Sequence, residues 1–190
     1  VGVGALKPRA VFLDRDGVVN RAPVRDGKPY PPATVEEVEI PEGTAEALAE
    51  LKAAGFLLIV VTNQPDVARG TQAMEVVEAI NARLAGALPL DAIRVCAHGD
   101  EARCNCRKPA PGLILDAAAE SGVDLGRSYM IGDRWRDVDA GAGAGCRTVL
   151  IDYGYRERGP SAAPDYRARD LWDAVRWILA DCAGERRGSH

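Results

Sequence analysis

The sequence predicts an α/β fold: an open, mainly parallel sheet with helices on both faces. Three observations carry this. Short apolar runs alternate with amphipathic stretches along most of the chain. The apolar runs are continuous rather than alternating, as expected of strands buried on both faces. Several of them end abruptly in polar or charged residues, where ligands gather at the carboxyl edge of such sheets.

The elements follow in order. Ala10 to Leu13 is a short apolar strand that stops at Asp14-Arg15-Asp16-Gly17. Arg21 to Pro41, rich in proline and charge, is a long connection expected to cross the mouth of a site as a stiff wall. Thr44 to Ala54 is an amphipathic helix, with Thr44 as N-cap and Gly55 as the stop. Phe56 to Val61 is the most hydrophobic segment and reads as a central strand. Met74 to Leu84 is helical. Ala92 to Val95 is a strand, followed by a Cys/His segment from Cys96 to Cys106. Gly112 to Ser121 is a helix, Tyr129 to Ile131 a strand, and Val138 to Ala144 a helix. Thr148 to Ile151 is the fifth strand, and Leu171 to Ala183 the last helix, with Trp172 and Trp177 as core contacts. Cys146 and Cys182 read as buried thiols. Residues 152–169 carry no clear signal. The chain has 190 residues and reads as a single domain, with a core of about 10–183 and a frayed tail over 184–190.

Composition limits the function. Hydrophobic residues make up 47% and charged residues 27%, the balance of a soluble globular protein. No run of about 18 apolar residues exists, so no membrane span is expected. No secretory signal is visible at the N-terminus, so the expected location is cytoplasmic. The net charge of −4 argues against nucleic acid as partner.

In the predicted sheet, four polar segments meet at one edge: Asp14-x-Asp16, Thr62-Asn63-Gln64, Arg107-Lys108-Pro109 and Asp133 to Asp137. Aspartates at one point repel unless a cation neutralises them. Their hard oxygens suit Mg²⁺, which shares its shell with waters and phosphate. A carboxylate attacking phosphorus needs such a cation, and the transferring group needs donors, which Lys108 and Thr62 supply. Asp16 is placed to move the proton.

Cys96-x-His98-x5-Cys104-x-Cys106 is a second constellation. Three thiolates and one imidazole are expected to make a closed tetrahedral zinc site, structural rather than catalytic, with a redox thiol cluster or unliganded core residues as the alternatives. The loop has little apolar content of its own, so the metal is expected to supply its folding energy and to fix Lys108 next door.

The motifs LDRDG, VVTNQ, RKP and GDRWRD, in this order from Val11 to Asp152, resemble the haloacid dehalogenase superfamily of phosphohydrolases. The resemblance implies a Rossmann-like core without a large cap domain. It implies an aspartyl-phosphate on Asp14, with Asp16 as general acid and base, and Thr62 and Lys108 holding the phosphoryl group. Asp14, the Asp16 carbonyl and Asp133 would bind magnesium, with Asp137 behind them. The zinc loop is similar to the branch of D-glycero-D-manno-heptose 1,7-bisphosphate phosphatases and histidinol-phosphate phosphatases. The five-residue spacer between His98 and Cys104 looks more like the histidinol-phosphate enzymes. The segments Thr62 to Gly70 and Arg107 to Gly112 look more like the heptose enzymes, and they weigh more because loop length is a scaffold property.

The expected substrate is therefore a small phosphorylated metabolite, foremost the heptose bisphosphate. Histidinol phosphate or another small sugar phosphate is the alternative. Asn63, Gln64, Arg107 and Arg134 are the expected substrate contacts, with Arg69 and Arg25 as helpers. An amine-bearing substrate would instead want Asp26, Tyr30, Glu36 or Trp135. A monomer is expected. A phosphomutase would need a mobile cap, a binding protein would not need both Asp14 and Lys108, and a receiver domain would have no zinc loop. A polynucleotide phosphatase would want a basic groove.

Overall fold

A computed structural model describes residues 6–187. Six parallel strands form one sheet in the order β5-β4-β1-β6-β7-β8. They are β1 (Arg9–Leu13), β4 (Phe56–Asn63), β5 (Ala92–Cys96), β6 (Tyr129–Gly132), β7 (Arg147–Ile151) and β8 (Tyr166–Ala168). The helices are α1 (Thr44–Ala53), α2 (Met74–Ala87), α3 (Gly112–Ser121), α4 (Trp135–Ala144) and α5 (Leu171–Arg187).

The continuous apolar strands are explained by burial on both faces. Side chains alternate across a strand. Val11 and Leu13 of β1, with Leu58 and Val60 of β4, face α1, α2 and α5. Ala10 and Phe12, with Ile59 and Val61, face α3 and α4. Each face is a separate apolar cluster, so neither strand has a polar side to show. Burying each large side chain contributes roughly 1.5–3 kcal/mol, which holds the strand ends, and whatever they carry, in fixed register.

Several boundaries differ from the sequence expectation, each for a visible reason. The N-cap of α1 is Gly43, at φ 80°, and Thr44 is the first helical residue. α4 begins at Trp135, three residues before the expected start, because the Asp137 carboxylate accepts the Arg134 N–H at 3.0 Å and closes the first turn. α5 continues to Arg187, past the expected end at Ala183, while residues 188–190 lie outside the description. Trp172 is 37% exposed rather than core. Trp177 is partly buried and stacks on Tyr166 at 5.1 Å. Cys146 and Cys182 are buried, as expected.

Two elements escaped the sequence reading. β8 is a three-residue edge strand pairing in parallel with β7. The connection 21–41 contains a hairpin of β2 (Val24–Arg25) and β3 (Lys28–Pro29). Its turn is Asp26-Gly27, both at positive φ (52° and 76°), the two-residue turn whose twist suits a hairpin. Among the described residues, no helix is long and apolar enough to cross a membrane.

Candidate active site

The carboxyl ends of β1, β4 and β6 are neighbours in the sheet, so the residues just beyond them converge. Asp14 follows β1, and its N–H donates to the Ile131 carbonyl at 2.9 Å. Thr62 and Asn63 close β4. Asp133 follows β6, and Asp137 lies on the first turn of α4. Two glycines permit this crowding. A Cβ on Gly17, at φ 91°, would fall 2.0 Å from Asp133 Oδ2, and a Cβ on Gly132 would fall 2.0 Å from the Asp137 Cβ.

Lys108 is 2% exposed and its ammonium is fully engaged. Nζ lies 2.8 Å from Asp14 Oδ1 and 2.6 Å from Asp137 Oδ1, and it donates to the Val61 carbonyl at 2.8 Å. Burial pulls its pKa down, but the charges of Asp137 and Asp14 more than reverse this, so it stays above the usual lysine range. The Asn63 amide clamps the Lys108 backbone, donating to its carbonyl at 2.9 Å and accepting its N–H at 3.1 Å.

Asp14, Asp133 and Asp137 each offer an oxygen within 4.8 Å of the others. One ammonium faces three carboxylates, so the cluster lacks positive charge. Burial pushes Asp14 up to about 6, with Lys108 opposing and Asp137 adding. Asp133 is driven well above the usual carboxylate range by burial, then by the Asp14 and Asp137 charges. Asp133 Oδ1 is buried and has no hydrogen-bond partner. Both oxygens of Asp137 already accept protein donors, Lys108 and the Arg134 N–H. An oxygen-rich, charge-deficient cluster with an orphaned carboxylate oxygen fits a hard divalent cation.

Asp16 is held by three neighbours. It accepts from Arg15 Nε at 3.2 Å, Asn20 Nδ2 at 3.0 Å and Gln64 Nε2 at 2.8 Å. Gln64 also donates to Thr62 Oγ1 at 2.8 Å, which leaves the threonine hydroxyl its own proton to give. Gln64 is thus buried and engaged with the protein, whereas Asn63 lines the cavity. Arg15 is fully buried between Asp16 and Asn81 and had no signal beyond its place in the LDRDG run.

Asp14, Asp16, Thr62, Asn63, Lys108 and Asp137 floor a cavity of about 350 Å³. The hairpin supplies one wall with Lys28, Pro29 and Tyr30. Arg69, Arg107, Arg134 and Arg136 stand around the rim. Arg107 Nε donates to Asp100 Oδ1 at 2.9 Å, and the same carboxylate lies 3.6 Å from Arg69 and 3.8 Å from Arg136. Arg134 pairs with Glu157. Arg25 lies over the Tyr30 ring instead of lining the cavity, and Trp135 is beneath Arg158.

The second constellation also closes. Cys96, His98, Cys104 and Cys106 each place a donor within 4.8 Å of the others. The sulfur pairs lie 3.2 to 3.7 Å apart, and His98 Nδ1 is 3.3 Å from Cys106 Sγ and 3.6 Å from Cys96 Sγ. Ligands at about 2.3 Å on a tetrahedron stand about 3.7 Å apart, so the four donors fit a metal of that geometry.

A parallel α/β sheet with a carboxylate pair, a buried lysine and a threonine hydroxyl at its carboxyl edge is the framework of a phosphohydrolase. The profile of HAD-hydrolase-like proteins matches residues 105–174. A D-glycero-beta-D-manno-heptose-1,7-bisphosphate 7-phosphatase of Pasteurella multocida is 38% identical over 77% of this chain and 83% of its own. A D-glycero-D-manno-heptose-1,7-bisphosphate 7-phosphatase of Thermosynechococcus vestitus is 34% identical over 92% of this chain and 97% of its own. The crystal structure of D,D-heptose 1,7-bisphosphate phosphatase from B. bronchiseptica, complexed with magnesium and phosphate, superposes with a TM-score of 0.72 at 31% identity. It covers 91% of this chain and 99% of its own. The chain belongs to the haloacid dehalogenase-like phosphatases, in the branch of the heptose bisphosphate phosphatases.

Proposed function

We propose that this phosphatase removes the 7-phosphate of D-glycero-D-manno-heptose 1,7-bisphosphate through an aspartyl-phosphate on Asp14. The observation that carries the substrate class is the cationic rim. Lys28, Arg69, Arg107, Arg134 and Arg136 surround the cavity, apart from the lysine at its floor. One phosphate needs the floor alone. A second phosphate, which stays on the product, accounts for the rim, and arginine forks suit it. It would compete with Asp100 for Arg107, Arg69 and Arg136. The heptose bisphosphate named for the relatives has this chemistry.

Asp14 attacks phosphorus, and its new bond forms as the ester P–O bond breaks. Lys108 and the Thr62 hydroxyl hold the equatorial oxygens. Asp16 protonates the departing alkoxide, then takes a proton from the water that attacks phosphorus and frees Asp14. Asp14, the Asp16 carbonyl and Asp133 are the residues that would hold Mg²⁺, with Asp137 behind them. Bound there, the ion supplies the positive charge that lets two anions approach. A single domain acting as a cytoplasmic monomer on a small metabolite fits this reading, and none of the five cysteines is in a disulfide.

Phosphate release in the presence of Mg²⁺, from both anomers of the heptose bisphosphate and from histidinol phosphate, tests the substrate. A heptose bisphosphate is expected to win in kcat/KM by at least about a hundredfold, roughly 2.7 kcal/mol of transition-state binding. A win for histidinol phosphate would overturn the heptose reading and make a monophosphate the substrate.

Zinc is the proposed occupant of the Cys/His loop. The loop leads directly into Arg107 and Lys108, so a metal bound there would fix both cations. Metal analysis is expected to find one zinc per chain. Cys104→Ser is expected to lose most of it and to cost on the order of a few kcal/mol of stability. Unchanged zinc content and melting temperature in that variant would refute the assignment.

A further inference from the structure

β7 ends at Ile151 and the chain rejoins the sheet only at Tyr166. The loop between is charged and largely exposed, yet three successive residues of it reach back to the site. The Tyr155 hydroxyl donates to Asp133 Oδ2 at 2.9 Å. The Arg156 N–H donates to the Gly27 carbonyl at 3.2 Å, bracing the hairpin turn. Glu157 accepts from Arg134 Nε at 3.0 Å.

The first contact bears on how Asp133 would serve a cation. A carboxylate that no donor holds can turn, or offer both oxygens at once. Here Tyr155 takes Oδ2, and Oδ1 is left buried without a partner. Mg²⁺ demands near-octahedral ligands at about 2.0–2.1 Å and suits one oxygen per carboxylate. Ca²⁺ accepts both oxygens at about 2.3–2.6 Å.

We propose that Tyr155 is a positioning residue for the magnesium site: its hydroxyl pins Oδ2 of Asp133 and so presents Oδ1 alone to the ion. The proposal rests on the magnesium reading above and adds a source of selectivity to it. Partners that orient a metal ligand typically contribute about 10–100-fold in metal affinity.

Calorimetric titration of the substrate-free enzyme with Mg²⁺ and with Ca²⁺ tests this. The comparison is between wild type, Tyr155→Phe and Tyr153→Phe, whose ring lies 5.8 Å from that of Tyr155. Tyr155→Phe is expected to weaken Mg²⁺ binding about tenfold or more. Ca²⁺ binding should change by less than about threefold, because the freed carboxylate can now grip with both oxygens. Tyr153→Phe should match wild type for both ions. Equal loss for the two ions, or a lower melting temperature with unchanged Mg²⁺ affinity, would mean that Tyr155 only props the loop, and would overturn the proposal. A wild type that binds no Mg²⁺ would bring down the magnesium reading itself, and this inference with it.

Discussion

Asp14→Asn is expected to abolish turnover, by on the order of 10⁴-fold or more in kcat, while leaving the fold intact. Asparagine keeps the shape and still accepts from Lys108, but it cannot attack phosphorus. Stability gives an independent readout. Asp14 titrates at about 6 in the folded protein, above its ordinary 3.8, chiefly because it is buried. A group whose folded-state pKa is raised gives stability that is complete below its unfolded value and is lost as pH rises through the folded one. Without Mg²⁺, wild type should therefore lose roughly 3 kcal/mol between about pH 4 and pH 6 from this group alone. Asp14→Asn removes that loss. Above pH 7 the variant is expected to melt no lower than wild type. Melting temperatures across pH check this. Residual activity near wild type would end the aspartyl-phosphate mechanism, and an unchanged pH profile of stability would end the account of its charge.

Lys108→Met is expected to cost more stability than Asp14→Asn. Methionine nearly keeps the length of the stem, so little packing is lost. The charge is lost entirely, and Asp14, Asp133 and Asp137 remain buried together. Removing one partner of a buried ion pair typically costs about 3–5 kcal/mol. For a chain of this size each kcal/mol moves the melting temperature by about 2–4 °C, so a drop of roughly 6–20 °C is expected. Activity should fall by at least about 10²–10³-fold, as when a donor to the transition state is removed. A second change separates charge from shape. Adding Asp137→Asn removes one of the stranded carboxylates and should return part of the lost stability, with no return of activity. Strict additivity of the two changes would show that Lys108 and Asp137 are not coupled through their 2.6 Å contact.

Much of this site was legible because its chemistry is concentrated at strand ends. A run such as Val11-Phe12-Leu13-Asp14 states both the buried strand and the place where it meets solvent. Once the sheet is parallel, Asp14, Thr62 and Asp133 must share an edge. The Cys/His loop was equally plain, because its four donors lie within eleven residues of sequence and converge without help from the rest of the fold. What stayed hidden depends on contacts between distant loops. Tyr155 meets Asp133 across 22 residues, and nothing near Tyr155 in sequence marks it. Gln64 stood beside cavity residues, yet its side chain turns inward to Asp16 and Thr62, a choice of rotamer that no pattern records. The hairpin differs: Asp26-Gly27 is a direct signal for a two-residue turn, masked by the prolines around it. β8 is three residues long with a single buried side chain, too brief for any periodicity to show.

The hairpin and the floor of the cavity are built from separate materials. The floor is buried, packed so closely that only glycine fits at 17 and 132, and fixed by the packed strands beneath it. The wall is a pair of two-residue strands joined by a turn, attached to the neighbouring loop through the Arg156 to Gly27 contact. Mutations in the floor disturb the sheet, whereas mutations in the wall disturb little else. Such a cassette can be exchanged between generations while the chemistry below persists. New substrates can be explored there at small risk to an old reaction.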